Sequence, residues 1–102
     1  MSTYLIVHRA PSGYVGSAKA ATAWEAWFEE LGGNLVDRGN AVFKRSTLGT
    51  SENDKPLGGY TLVTADSLDA AITLANGCPL LLEGGGVEVG ELRPVPGRHH
   101  PA

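Results

Sequence analysis

Residues 57–79 read LGGYTLVTADSLDAAITLANGCP. After the Gly58-Gly59 break, Tyr60-Thr61-Leu62-Val63-Thr64 is rich in β-branched and aromatic residues, which predicts a strand. Asp66 stands where a helix N-cap belongs, with Asp69 as a second acid in the electropositive first turn. Leu68, Ala71, Ile72 and Ala75 recur at helical spacing and predict one apolar face. Asn76-Gly77 supplies residues tolerant of positive φ for the helix end, and Pro79 blocks continuation. A strand that runs into a short helix with almost no linker implies a helix packed back on its own sheet, half of a split βαβ unit.

Upstream, Tyr4-Leu5-Ile6-Val7 is a continuous apolar run typical of a buried strand. It leads through His8-Arg9 into the breaker loop Ala10-Pro11-Ser12-Gly13. Ser17 is placed to cap a first helix whose Trp24, Trp27, Phe28 and Leu31 form an i, i+3, i+4, i+7 stripe. Glu25, Glu29 and Glu30 fall off that stripe, Gly32-Gly33 ends the helix, and Asn34 is able to follow in the left-handed region. Two segments then compete for the second strand, Leu35-Val36-Asp37 and Ala41-Val42-Phe43-Lys44-Arg45. The longer is preferred, because three residues hold a sheet position poorly. GTSENDKP (49–56) connects to the third strand, and Val87-Glu88-Val89 alternates as a fourth.

The order β-α-β-β-α-β predicts a ferredoxin-like α+β domain over residues 1–96, one four-stranded antiparallel sheet with both helices on one face. Residues 97–102 read as a loose tail. The opposite sheet face lacks a cover, which predicts a homodimer packed sheet against sheet, with a pocket between the sheet and the helices or partner strands.

Bulk properties narrow the function. The 102 residues suffice for one domain. A net charge of −3 argues against nucleic-acid binding, which needs clustered Lys and Arg. No run approaches a membrane span, and MSTYLIVHRAP lacks the basic segment of a signal peptide. With a single cysteine there is no internal disulfide, and a reducing cytoplasm is the expected compartment.

From 57–79 together with VEVGELRPV downstream, the chain resembles the C-terminal half of the YCII-related, or DGPF-domain, proteins. The YLIV strand and WEAWFEELGGNLVDRGN are similar to the first half of the same family. The resemblance implies a ferredoxin-like fold pairing into a dimeric α/β barrel, a scaffold shared with muconolactone isomerase-like enzymes. It also implies links, for some members, to a catalytic His–Asp pair or to extracytoplasmic sigma factors. The chain departs from the pattern in two places. The family tetrapeptide falls on Thr47-Leu48-Gly49-Thr50, none of it retained, although Glu52 matches the acid that follows. Thr22 stands about where the helix-one histidine would be.

His8, ending the first strand on the face of Tyr4 and Ile6, is the candidate general base. Asp37, Glu52 and Asp54 are the acids able to orient it, Asp37 being preferred because it lies in the family-like segment. Arg45 offers paired hydrogen bonds to a carboxylate, and Tyr60 a rigid ring with a hydroxyl. Trp24 and Trp27 suit a pocket wall but read first as core. His99-His100 has no third ligand, so no metal is expected. Cys78 lacks an activating neighbour. Gly84-Gly85-Gly86 precedes a strand rather than a helix, so no phosphate loop and no cofactor are expected. Two functions stay open: a small-molecule-binding dimer with isomerase- or lyase-like acid–base chemistry, and a non-catalytic interaction or regulatory module.

Overall fold

The structure is a computed structural model and describes residues 1–11, 13–14, 16–50 and 55–97. Glu52, Asp54, His99, His100 and nearly all of the tail lie outside these residues. The elements are β1 (Ser2–Arg9), α1 (Ala18–Leu31), β2 (Leu35–Asp37), β3 (Leu57–Ala65), α2 (Leu68–Ala75) and β4 (Gly86–Glu91). Short 3-10 turns follow α1 at Gly32–Asn34 and α2 at Pro79–Glu83. The sheet order is β2-β3-β1-β4 and every neighbouring pair is antiparallel. This is the expected ferredoxin-like α+β architecture.

Residue alternation divides the sheet into two unlike faces. Tyr4, Ile6 and His8 of β1 and Thr61, Val63 and Ala65 of β3 are buried. They meet Trp27 and Leu31 of α1 and Ala71 and Ala75 of α2 in one core. The opposite face pairs Thr3 with Thr64, Leu5 with Leu62 and Val7 with Tyr60, all half-buried in a single chain. In the single chain strand one is closed on its helix side, and its other side is part of the uncovered face expected from the sequence.

The helix ends differ from expectation in instructive ways. Ser17 does cap α1, accepting from the Ala20 N–H at 3.1 Å. At α2 the cap is Ser67, which accepts from Ala70 N–H, and not Asp66. The strand runs one residue further than its β-branched stretch suggests, so the cap position shifts by one. The buried face of α2 is Ala71 and Ala75 with Leu74 packed beside them, whereas Leu68 and Ile72 are exposed. Asn76 stays in the right-handed region, and Gly77 serves a different purpose from the expected one. A Cβ on it would lie 2.8 Å from the Trp27 ring, so the glycine admits the indole. That indole then donates to Leu74 O at 3.0 Å and ties the two helices together. Asn34 is likewise not left-handed; its amide donates to Thr64 O at 2.9 Å.

The second strand is the three-residue segment Leu35–Asp37, against the expectation for 41–45. The physical reason is visible at the sheet edge. Leu35 pairs with Val63 and Asp37 with Leu62, a register shift that leaves Val36 as an extra residue. The chain then bulges again, with Arg38-Gly39-Asn40 lying along two residues of β3, and Ala41 returns as a single bridge to Gly59. Beyond it Phe43 is 83% exposed, and Arg45 donates to the carbonyls of Val42 and Phe43. The β-prone run 41–45 therefore touches the sheet at its first residues alone.

Candidate functional site

The bulge and the glycine end of β3 together create a cavity. His8 is paired across the sheet with Gly59, whose missing side chain lets the strap 38–41 lie close, since a Cβ there would be 2.8 Å from Asn40 O. The cavity, about 350 Å³, opens between this part of the sheet, α1 and the strap 38–41. Trp24 and Phe28 form its aromatic wall, Leu80 and Ala10 add apolar surface, and His8, Thr61, Arg38 and Asn40 supply polar groups. Several bonds hold the strap flat on β3. Tyr60 N–H donates to Asn40 O at 3.3 Å, Val42 N–H donates to Gly58 O at 3.0 Å, and Thr61 Oγ1 donates to Arg38 O at 3.2 Å. Gly39 is obligatory here, since its φ is +79° and a Cβ would overlap Tyr60 O.

His8 is 5% exposed and both its ring nitrogens have partners. Nε2 lies 2.8 Å from Thr61 Oγ1, and Nδ1 lies 3.6 Å from Cys78 Sγ. The donors can be assigned by elimination. The Thr61 hydroxyl spends its hydrogen on Arg38 O, so it accepts from His8 Nε2–H. Nδ1 is then the lone pair that receives the Cys78 S–H, while the sulfur accepts from the Leu80 backbone N–H. The result is a one-directional chain, Cys78 to His8 to Thr61 to the Arg38 carbonyl. Burial lowers the imidazole to about 4 and raises the thiol to about 11. Both groups are neutral at pH 7, and Cys78, 1% exposed, is no nucleophile. Trp24 and Trp27 set their rings edge-on to His8, at centroid distances of 5.0 and 5.7 Å.

Of the other residues singled out in the sequence, Asp37 is not brought to His8. Its carboxylate accepts from the Gly39 N–H at 2.7 Å and shapes the bulge, and it is not part of the cavity wall. Tyr60 borders the cavity, but by register its side chain belongs to the uncovered face, where its hydroxyl accepts from Asn40. Arg45 lies in the exposed loop, away from the wall. The sequence reading missed Thr61, Arg38, Asn40 and Tyr14. Thr61 was legible in principle, since it follows Gly58-Gly59 with the same parity as the core residue Val63. Arg38 and Asn40 became visible with the bulge. Tyr14 lines the cavity, yet its hydroxyl is buried without a hydrogen bond. Burial raises the Tyr14 hydroxyl above its ordinary value, the nearby Glu83 carboxylate adds to the rise and the Trp24 indole opposes it. Among the described residues no cluster of His, Cys, Asp or Glu is arranged to hold a metal ion, and no helix is long and apolar enough to cross a membrane.

No protein-family model and no curated protein sequence matches this chain. Among solved structures, it is similar to 5-chloro-2-hydroxyhydroquinone dehydrochlorinase (TftG) from Burkholderia phenoliruptrix AC1100, in complex with 2,5-dihydroxybenzoquinone. The match has a TM-score of 0.63 at 19% identity and covers 89% of this chain and 93% of that one. At this identity the likeness establishes the shared fold.

Proposed function

We propose that the chain binds a small planar molecule in the cavity beneath β1, as a homodimer of the YCII-related dimeric α/β-barrel type. The observation that carries this reading is the cavity itself, about 350 Å³, walled by aromatic rings and with a few convergent polar groups. That volume is near the lower end of ligand pockets, ~300–1,000 Å³, and suits one substituted ring. The fold neighbour is in complex with 2,5-dihydroxybenzoquinone, a one-ring compound with four oxygens and a molecule of that size. The cavity lies within one protomer, so dimerisation covers the other face and is not needed to form the pocket.

An acid–base step of isomerase or lyase type is compatible with a neutral imidazole, the form that accepts a proton. In the tautomer that donates to Thr61, Nε2 carries the proton and the lone pair on Nδ1 faces buried Cys78, so proton acceptance at Nε2 would require both the displacement of Thr61 and the opposite tautomer. The engagement of both ring nitrogens favours a second reading, binding without catalysis, in which His8 shapes the floor. The test is a titration of the wild type and His8→Gln with 2,5-dihydroxybenzoquinone and hydroquinone, read by thermal shift and tryptophan fluorescence. Stabilisation with quenching in the wild type supports the ligand reading. Equal binding by His8→Gln selects the non-catalytic form. Absence of any effect on wild type with either compound contradicts both.

A further inference from the structure

Resting on the ligand reading above, we propose that Arg38 makes the cavity selective for a planar anion, an aromatic carboxylate or its charge equivalent. Arg38 is the one charged residue on the cavity wall among the described residues. His8, beside it, is neutral and adds no charge. The guanidinium carbon lies 4.7 Å over the Phe28 ring, and Phe28 is itself a wall residue. The side chain is 52% exposed. The positive charge is therefore stationed at the mouth, against the aromatic surface on which a planar ligand would lie.

The group is also held in place. Nη1 and Nη2 donate to the two carboxylate oxygens of Glu25 at 2.8 and 3.2 Å. Its backbone carbonyl is anchored by the Thr61 hydroxyl at 3.2 Å. Two of five guanidinium N–H donors are used by Glu25, leaving donors in the same plane for a ligand carboxylate. Glu25 is outside the wall and 61% exposed, so it orients the guanidinium without placing a negative charge in the cavity. An apolar slot with a pre-oriented guanidinium at its lip, its charge partly offset by Glu25 but its remaining N–H donors open, discriminates by charge and hydrogen bonding more than by shape.

The test uses benzoate and its neutral isostere benzamide, titrated at pH 7 into the full chain with backbone amide shifts and tryptophan fluorescence as readouts. Wild type is expected to favour benzoate at least tenfold, about 1.4 kcal/mol, with the preference shrinking as salt rises. Arg38→Gln is expected to bring the ratio close to one while benzamide affinity holds. Glu25→Gln, which frees the guanidinium, is expected to tighten benzoate. A wild-type ratio near one, or the same ratio in Arg38→Gln, overturns the assignment and leaves the cavity reading intact. Failure of both compounds to bind wild type overturns the assignment together with the cavity reading.

Discussion

At the scale of single residues the site is governed by His8, whose burial sets its proton balance. A histidine held below its ordinary value is protonated in the unfolded chain before the folded one. Its contribution to stability is thus complete above pH 6.5 and is lost as pH falls toward about 4. The loss is expected to reach roughly 3 kcal/mol, and denaturant melts across pH 4–7 on wild type and His8→Gln measure it as the excess pH slope of the wild type over the variant. Thr61→Val leaves His8 Nε2–H and the Arg38 carbonyl without a partner, at a cost of about 1–3 kcal/mol, whereas Thr61→Ser keeps both bonds. Tyr14→Phe removes a buried hydroxyl that has no hydrogen bond, so its melting temperature is expected to be equal to or above that of wild type. His8 was legible in the sequence as a candidate because it is a histidine ending an apolar strand. Its partners were not, since Thr61 and Cys78 are 53 and 70 residues away and reach it only through the strand register and the turn after α2.

Among the elements, the informative ones are those that did not follow local preference. The strands and helices around Trp24–Leu31 and Tyr60–Thr64 announce themselves by periodicity, because their faces pack against one core. The edge strand does not. Leu35–Asp37 is too short to show alternation, and its bulge depends on how Gly39 lies on Tyr60, a contact that propensity does not encode. Gly39→Ala is accordingly expected to lift the strap from β3, and loss of amide-exchange protection at Tyr60 and Val42 would show it. The cap of α2 gives a sharper discrimination. Ser67→Ala should cost about 1 kcal/mol and Asp66→Ala close to none, since the Ser67 hydroxyl makes the bond. Equal effects of the two in urea melts would return the cap to Asp66.

For the whole molecule, the uncovered sheet face and the cavity lie on opposite sides of one layer. Leu5, Val7 and Leu62 form the apolar centre of the uncovered face, and the Arg9–Glu88 pair at 3.5 Å lies toward one end. The proposed pairing of two such faces would remove their hydrophobic area from water. Leu62→Glu is expected to abolish the proposed dimer in sedimentation or light scattering while leaving the proposed ligand binding in the cavity, on the helix side, unchanged. The proposed ligand occupies the space beside His8, within one protomer. The most direct test is a two-dimensional amide and indole NMR titration of the full chain with a one-ring aromatic probe such as benzoate. Shifts are expected at Trp24, Gly39, Gly59 and Thr61, with Leu5 and Leu62 undisturbed. Shifts centred on Leu5 and Leu62, with the Trp24 indole unmoved, would contradict it.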